Sequence, residues 1–254
     1  MEKVEGIILI LSCEKHINTR LKKYGLKKEN YHGWKVIKVI GNLFLKDEYI
    51  LENNILYIKC EDSYLHLLKK LSLAIKHLSN IFEIKQGILR CGDDLIFNEE
   101  RLIEFIHSQK YDYFGQSPFK RNHISNDISL LKNVKYDPFM LQYYVNHQDE
   151  LIDEKHGIHM SLEELQKYLI RPFTLYASGV IYYISKFACE IIVNHMEKID
   201  YNILQLDKYT NSYPYLIEDT GISFILYSNK VNFINYEHFY DTPFSITKHT
   251  NYLK

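Results

Sequence analysis

The twelve residues Gly87 to Asn98, GILRCGDDLIFN, decide how the rest of the chain is read. Gly87 to Cys91 is a short apolar run of strand length. It passes directly into Gly92-Asp93-Asp94, and Asn98 then opens a helix with Glu99 and Glu100 in its first turn. Asn is a favoured helix cap, and carboxylates in a first turn complement the helix dipole. Two adjacent carboxylates on a turn after a buried strand can bind a hard divalent cation and, through it, a diphosphate. The same pair also suits an ordinary turn. Its place in the chain argues for chemistry, because open α/β sheets bind ligands at the carboxyl ends of their strands.

Outward from this stretch the pattern alternates. Gly6 to Ser12 (GIILILS) is a continuous apolar run, as in a central parallel strand. Arg20 and Tyr24 fall in a helix ending at Gly25, and Trp34 to Ile40 and Ile55 to Cys60 are two further strands. From Ser63 to Phe82 a helix is expected, with Tyr64, Leu67, Leu68, Leu71, Ile75, Leu78 and Phe82 on one face and Asp62 or Ser63 as its cap. Tyr111 to Gln116 is a fifth strand. Alternating strands and helices predict an α/β fold, a mostly parallel central sheet flanked by helices in a Rossmann-like arrangement. One compact domain is expected over 1–254, since no stretch reads as a flexible tether.

Past Ser117 the pattern loosens. It holds a strand near Leu141 to Val145 and a helix from Ser161 to Leu169 with a Ser161/Glu164 capping box. A periodic segment follows from Tyr176 to Ile184, with a helix after Ser185. Ser178-Gly179 allows close approach of backbone to a ligand. Tyr182 and Tyr183 are strand neighbours on opposite faces, so one is expected to fill the core and the other to stack on a sugar. Glu218-Asp219 sits at a helix start, where a carboxylate stays ionised and can deprotonate an attacking hydroxyl. It also suits a plain cap. Two acidic pairs are equally compatible with metal-dependent phosphoryl chemistry, so spacing alone does not choose the reaction.

Composition sets the outer bounds. Hydrophobic residues at 46% and charged residues at 25% are ordinary for a soluble globular chain. The net charge of −1 and the lack of a basic run argue against a nucleic-acid partner. Lys22, Lys23, Lys27 and Lys28 read as a solvated face. The 22 tyrosines fit a coding bias better than a stacking-rich cleft. Cys13, Cys60, Cys91 and Cys189 follow neither a zinc nor a disulfide pattern and read as small buried hydrophobes in a reducing compartment. Ile7 to Leu11 is far shorter than the ~20 residues of a membrane helix, so no transmembrane segment and a cytoplasmic location are expected.

Residues 55 to 114 resemble the core of the β-1,3-glycosyltransferases, which include galactosyl-, N-acetylglucosaminyl- and fringe-type enzymes. Asp62 to Lys69 (DSYLHLLK) is similar to that family's D-S-Y-x-N-L-T-x-K helix start, and Gly87 to Asn98 to its strand and D-D-D-V-F-V-N motif. Tyr113-Phe114-Gly115 resembles the ending of the next strand, and Tyr143-Tyr144-Val145 a K-Y-Y-V element. Tyr176 to Ser185 resembles Y-x-S-G-x-x-Y-x-x-S, and Glu218 to Gly221 resembles E-D-V-x-x-G.

The resemblance implies a GT-A fold, a UDP-sugar donor, Mn²⁺ or Mg²⁺, inversion at the anomeric carbon, and a glycan or glycoprotein acceptor. Residues 1–116 would form the nucleotide-sugar half and 117–254 the acceptor half. By position, Asp94 is the main metal ligand, Asp93 its partner toward metal or ribose, and Asp219 the catalytic base. Arg20, Ser178 and Gly179 would meet the donor, and His238, with His249 as runner-up, would complete the metal site.

Several features depart from the family. Gly92 replaces the first Asp of its motif, the N-terminal arginine–tryptophan signature is reduced to Arg20 and Tyr24, and 117–172 is long. The membrane anchor and disulfides of secretory-pathway members are missing from the pattern, which suits a microbial or large-virus enzyme. Gly92 also keeps open a non-catalytic nucleotide-sugar or glycan-binding protein on the same fold. A nucleotidyl- or phosphotransferase ranks last, because the GxxxxGK[ST] phosphate loop is lacking.

Overall fold

The computed structural model describes residues 1–118, 134–136, 138–155, 159–168, 170–172, 177–204 and 214–250. The apolar run at the N-terminus forms β1 (Glu2–Leu11), followed by a short α1 (Arg20–Lys23), β2 (Asn30–Tyr31) and β3 (Trp34–Gly41). Next come β4 (Tyr49–Glu52), β5 (Ile55–Ile58), α2 (Leu67–Ile81), β6 (Phe82–Cys91), β7 (Leu95–Phe97), α3 (Glu99–His107) and β8 (Tyr113–Gly115). The later part supplies β9 (Val134–Tyr136), α4 (Pro138–Asn146), α5 (Leu162–Tyr168), β10 (Ile170–Pro172), β11 (Ile181–Ser185), α6 (Lys186–Lys198), α7 (Glu218–Ser228), β12 (Phe233–Asn235) and β13 (Thr247–His249).

Among the described residues, nine strands make one sheet in the order β12-β8-β11-β6-β1-β3-β5-β4, with β2 paired to β3. The four at its centre, β6, β1, β3 and β5, run parallel. The mostly parallel sheet read from the sequence is therefore present. The strand β11 runs antiparallel between β6 and β8, which brings its N-terminal end beside the C-terminal end of β6. That reversal places the turn before β11 next to Asp93 and Asp94.

Period-two alternation along β1 divides the core. Ile7, Leu9 and Leu11 pack under α2, α6 and α7, while Ile8 and Ile10 join Trp34 and Phe105 of α3 on the opposite face. Helices thus cover both faces of the sheet. Asn98 caps α3 by accepting from Arg101 N at 3.2 Å. The Ser161/Glu164 capping box forms reciprocally, at 2.7 and 3.1 Å. All four cysteines are free, and burial pushes the Cys60 thiol up to about 12, so it behaves as a hydrophobe rather than a nucleophile.

Three local expectations are corrected. The segment Leu141 to Val145 is not a strand but lies within α4. Pro138 presets the first turn of that helix, and Met140 and Tyr144 are buried four residues apart, the spacing of one helical face. Neither Asp62 nor Ser63 caps α2, which begins at Leu67 after His66 without a side-chain cap. Asp62 instead accepts from Lys70 Nζ at 2.5 Å, Gly41 N at 3.1 Å and Glu14 N at 2.8 Å. A buried carboxylate needs a full counter-charge, and Lys70, itself buried, supplies it. Tyr64, placed on the apolar face of that helix, is 44% exposed. Leu169 and Tyr176 lie outside the described residues.

Candidate active site

The turn after β6 docks on the chain entering β11 through a bond from Gly92 N to the Val180 carbonyl, 2.9 Å. A Cβ at position 92 would lie 3.1 Å from Asp94 Oδ1, so glycine leaves the Asp94 carboxylate its room. That carboxylate is half-buried and has no hydrogen-bonding or ion-pair partner among the described residues. Its backbone carbonyl is held by Thr250 N at 3.0 Å, just past β13.

Asp93 has the opposite character. Its Oδ2 accepts from the Ser12 hydroxyl at 2.6 Å and lies 2.6 Å from His16 Nδ1, while Oδ1 accepts from Arg20 Nη1 at 3.1 Å. Ser12 follows β1, His16 ends the turn Glu14–His16, and Arg20 opens α1. The neighbouring parallel strands β1 and β6 end side by side, and their loops clasp at this one carboxylate. Burial opposes its ionisation, but the hydroxyl, the imidazole and the guanidinium outweigh that and hold it below the usual carboxylate range.

This shift has a measurable consequence. The folded pKa lies below the unfolded value of ~3.9, so Asp93 adds stability that is present above about pH 4 and lost as the pH falls through the folded value. Asp93→Asn is expected to lower stability at pH 7, with the deficit shrinking as the pH is taken below about 4. Urea unfolding at both pH values reads it, and a deficit independent of pH would contradict this account.

The second acidic pair is built around a residue that the sequence reading passed over. Arg90, on β6, is buried and pairs with Glu218 at 2.9 Å (Nη2 to Oε2). It also donates to the Gly179 carbonyl, and Tyr182 donates its hydroxyl to Glu218. Burial drives the Glu218 carboxyl above its usual range, with the Arg90 charge pulling against it. The neighbouring Asp219 accepts from Gly179 N at 3.0 Å and from Thr220 N at 2.8 Å. Arg90 and Glu218 thus fix the start of α7 and the turn before β11, and Asp219 is aimed between them. A lone arginine inside the apolar run GILRC was the available signal.

Gly179 was expected to approach the donor, yet both of its backbone groups are committed, the N–H to Asp219 and the carbonyl to Arg90. It acts on the site through Asp219. Ser178 is held by its own N–H to the Gln116 carbonyl at 2.8 Å, at the end of β8. Tyr182 and Tyr183 do face opposite sides of the sheet, but both are buried, so neither is placed to stack on a sugar. Each ring sits in one half of the divided core.

The predicted third metal ligand, His238, lies in the segment after β12. His238 Nδ1 lies 3.3 Å from Thr242 Oγ1, between the rings of Tyr236 and Phe244. His249 lies nearer along the sheet, opposite Leu95 in the β7–β13 pairing, but its Nδ1 is 2.5 Å from Asp241 Oδ2. Among the described residues, no three His, Cys, Asp or Glu side chains form a group that could hold a metal ion. Asp94 and Asp219, in contrast, are brought to one edge of the sheet, joined through Gly92, Val180 and Gly179. No helix among the described residues is long and apolar enough to cross a membrane.

Comparison with known proteins agrees with this geometry. A search of curated proteins gives no match. The sequence model of the family described as galactosyltransferase matches residues 40–225, which takes in Arg90, Asp93, Asp94, Gly179, Glu218 and Asp219 and leaves His16, Arg20, His238 and His249 outside. With most of the chain matched and the acidic residues inside the match at one sheet edge, the protein belongs to the galactosyltransferase family of glycosyltransferases.

Proposed function

We propose that the protein is an inverting transferase that moves a hexose or N-acetylhexosamine from a UDP-sugar to an acceptor hydroxyl on a glycan or glycoprotein. The observation that carries the reading is the pairing of an unengaged carboxylate, Asp94, with an oriented one, Asp219, across the ends of β6 and β11. The donor set suits Mn²⁺ or Mg²⁺, because such ions are held by one or two carboxylates together with substrate phosphates. Asp94 would hold the ion, which when bound neutralises charge building on the departing diphosphate. Asp93 would stand beside it, its two oxygens also holding Ser12, His16 and Arg20 of the segment after β1.

Asp219 has the geometry of a base. Two amide donors orient its carboxylate, Gly179 N on Oδ2 and Thr220 N on Oδ1. Proton removal as that oxygen attacks the anomeric carbon is general-base catalysis. Displacement from the side opposite the leaving diphosphate inverts the centre.

Ligand-linked stability tests the donor reading. UDP with Mn²⁺ at a hundred times its dissociation constant is expected to stabilise the protein by about 2.7 kcal/mol. For a chain of this size that is a rise in melting temperature of roughly 5–10 °C. Asp94→Asn is expected to remove the part of the rise that depends on Mn²⁺. An undiminished Mn²⁺ effect in that variant would refute the metal assignment. UDP binding with neither transfer nor sugar hydrolysis would favour a binding protein instead.

A further inference from the structure

The geometry points to His16 as a donor-binding residue, its ring set by Asp93 so that Nε2 meets the diphosphate of the nucleotide-sugar. The inference rests on the donor reading above and adds to it a residue outside the matched family segment. His16 lies in the loop after β1, and its Nδ1 is 2.6 Å from Asp93 Oδ2. Asp93 is next in the chain to Asp94, so the imidazole stands one residue from the candidate metal-binding carboxylate. The two nitrogens of an imidazole diverge, and the bond made by one fixes where the other points. Nε2 has no partner among the described residues, and the side chain keeps 19% of its exposure.

The loop is itself rigidly placed. Asp62 accepts from Glu14 N at 2.8 Å, and Lys15 pairs with Glu150 at 3.0 Å. That pairing matters for charge. Of the three neighbouring basic side chains in this loop, Lys15 is spent on Glu150 and Tyr143, leaving His16 and Arg20 beside Asp93. Arg20 uses one nitrogen on Asp93 and is 44% exposed, so further guanidinium N–H groups remain available. An orienting carboxylate behind an imidazole and a guanidinium is a receptor for an anion. Asp93 is thus a positioning residue that acts through His16 and Arg20.

Two variants separate contact with the ligand from a merely structural role. His16→Asn retains an amide where Nδ1 bonds Asp93 but loses the atom at Nε2. His16→Gln reaches the Nε2 position instead. UDP and uridine binding are measured by calorimetry on the whole protein, in Mn²⁺ and in EDTA. His16→Asn is expected to weaken UDP about tenfold to a hundredfold in both media, the scale of one charge-assisted hydrogen bond, with uridine unchanged. His16→Gln is expected to retain more UDP affinity than His16→Asn. Equal UDP binding by His16→Asn and the parent, a reversed order of the two variants, or an equal loss for uridine would each overturn the assignment alone. If the unaltered protein bound no UDP, the donor reading would fall and this inference with it.

Discussion

Asp219→Asn is expected to lower glycosyl transfer by a factor of about 10²–10⁴ while leaving UDP affinity within about twofold of the parent. The asymmetry follows from where Asp219 sits. Its carboxylate is held by Gly179 N and Thr220 N at the start of α7, on the β11 side of the Asp94 turn. Asparagine has nearly the same volume and one acceptor oxygen, so it keeps one of the two amide contacts, which the carboxylate accepts on separate oxygens. It cannot take a proton, so kcat falls and KM for the donor holds. Steady-state kinetics together with calorimetric UDP binding reads both quantities. Equal loss of binding and turnover would make Asp219 a donor ligand rather than a base.

Arg90→Met carries the largest expected cost in stability, about 3–5 kcal/mol at neutral pH. Methionine fills much of the same volume, but it leaves Glu218 buried without its counter-charge and the Gly179 carbonyl without its donor. The pH dependence identifies the cause. Burial already holds Glu218 above its usual range, and losing the guanidinium raises it further. A carboxyl with a raised folded pKa binds more protons folded than unfolded, so stability falls as pH rises from the unfolded value of ~4.3 toward the folded one. The deficit of Arg90→Met is therefore expected to be larger at pH 8 than at pH 5 in urea unfolding. A deficit that did not change with pH would mean that packing, not the stranded charge, causes it.

The chain announces its frame clearly and its site only in part. Uninterrupted apolar runs such as GIILILS and GILRC mark central strands because both faces of the sheet are covered. The DD turn and the ED helix start could be placed at a ligand edge from order alone. Their partners could not, because these are long-range pairings. Ser12, His16 and Arg20 reach Asp93 across 73 to 81 residues, and Arg90 reaches Gly179 across 89. Local rules also misled where a charge was buried: Asp62 looked like a cap, but the demand for a counter-ion gave it to Lys70. The YYV run near Tyr144 read as strand because aromatic and β-branched residues favour it, yet Pro138 and burial at four-residue spacing made it helix. His238 follows from family order alone, and in the fold its Nδ1 lies 3.3 Å from Thr242 Oγ1.

The central claim is transfer from a UDP-sugar at the Asp94–Asp219 edge, and release of UDP tests it most directly. The protein is given a panel of UDP-sugars with Mn²⁺, and UDP formation is followed by coupled assay. The account predicts that at least one UDP-hexose or UDP-N-acetylhexosamine releases UDP, that removing the metal abolishes release, and that Asp219→Asn lowers it by about 10²-fold or more. Release unaffected by Asp219→Asn, or no release from any sugar by a protein that binds UDP, would contradict it.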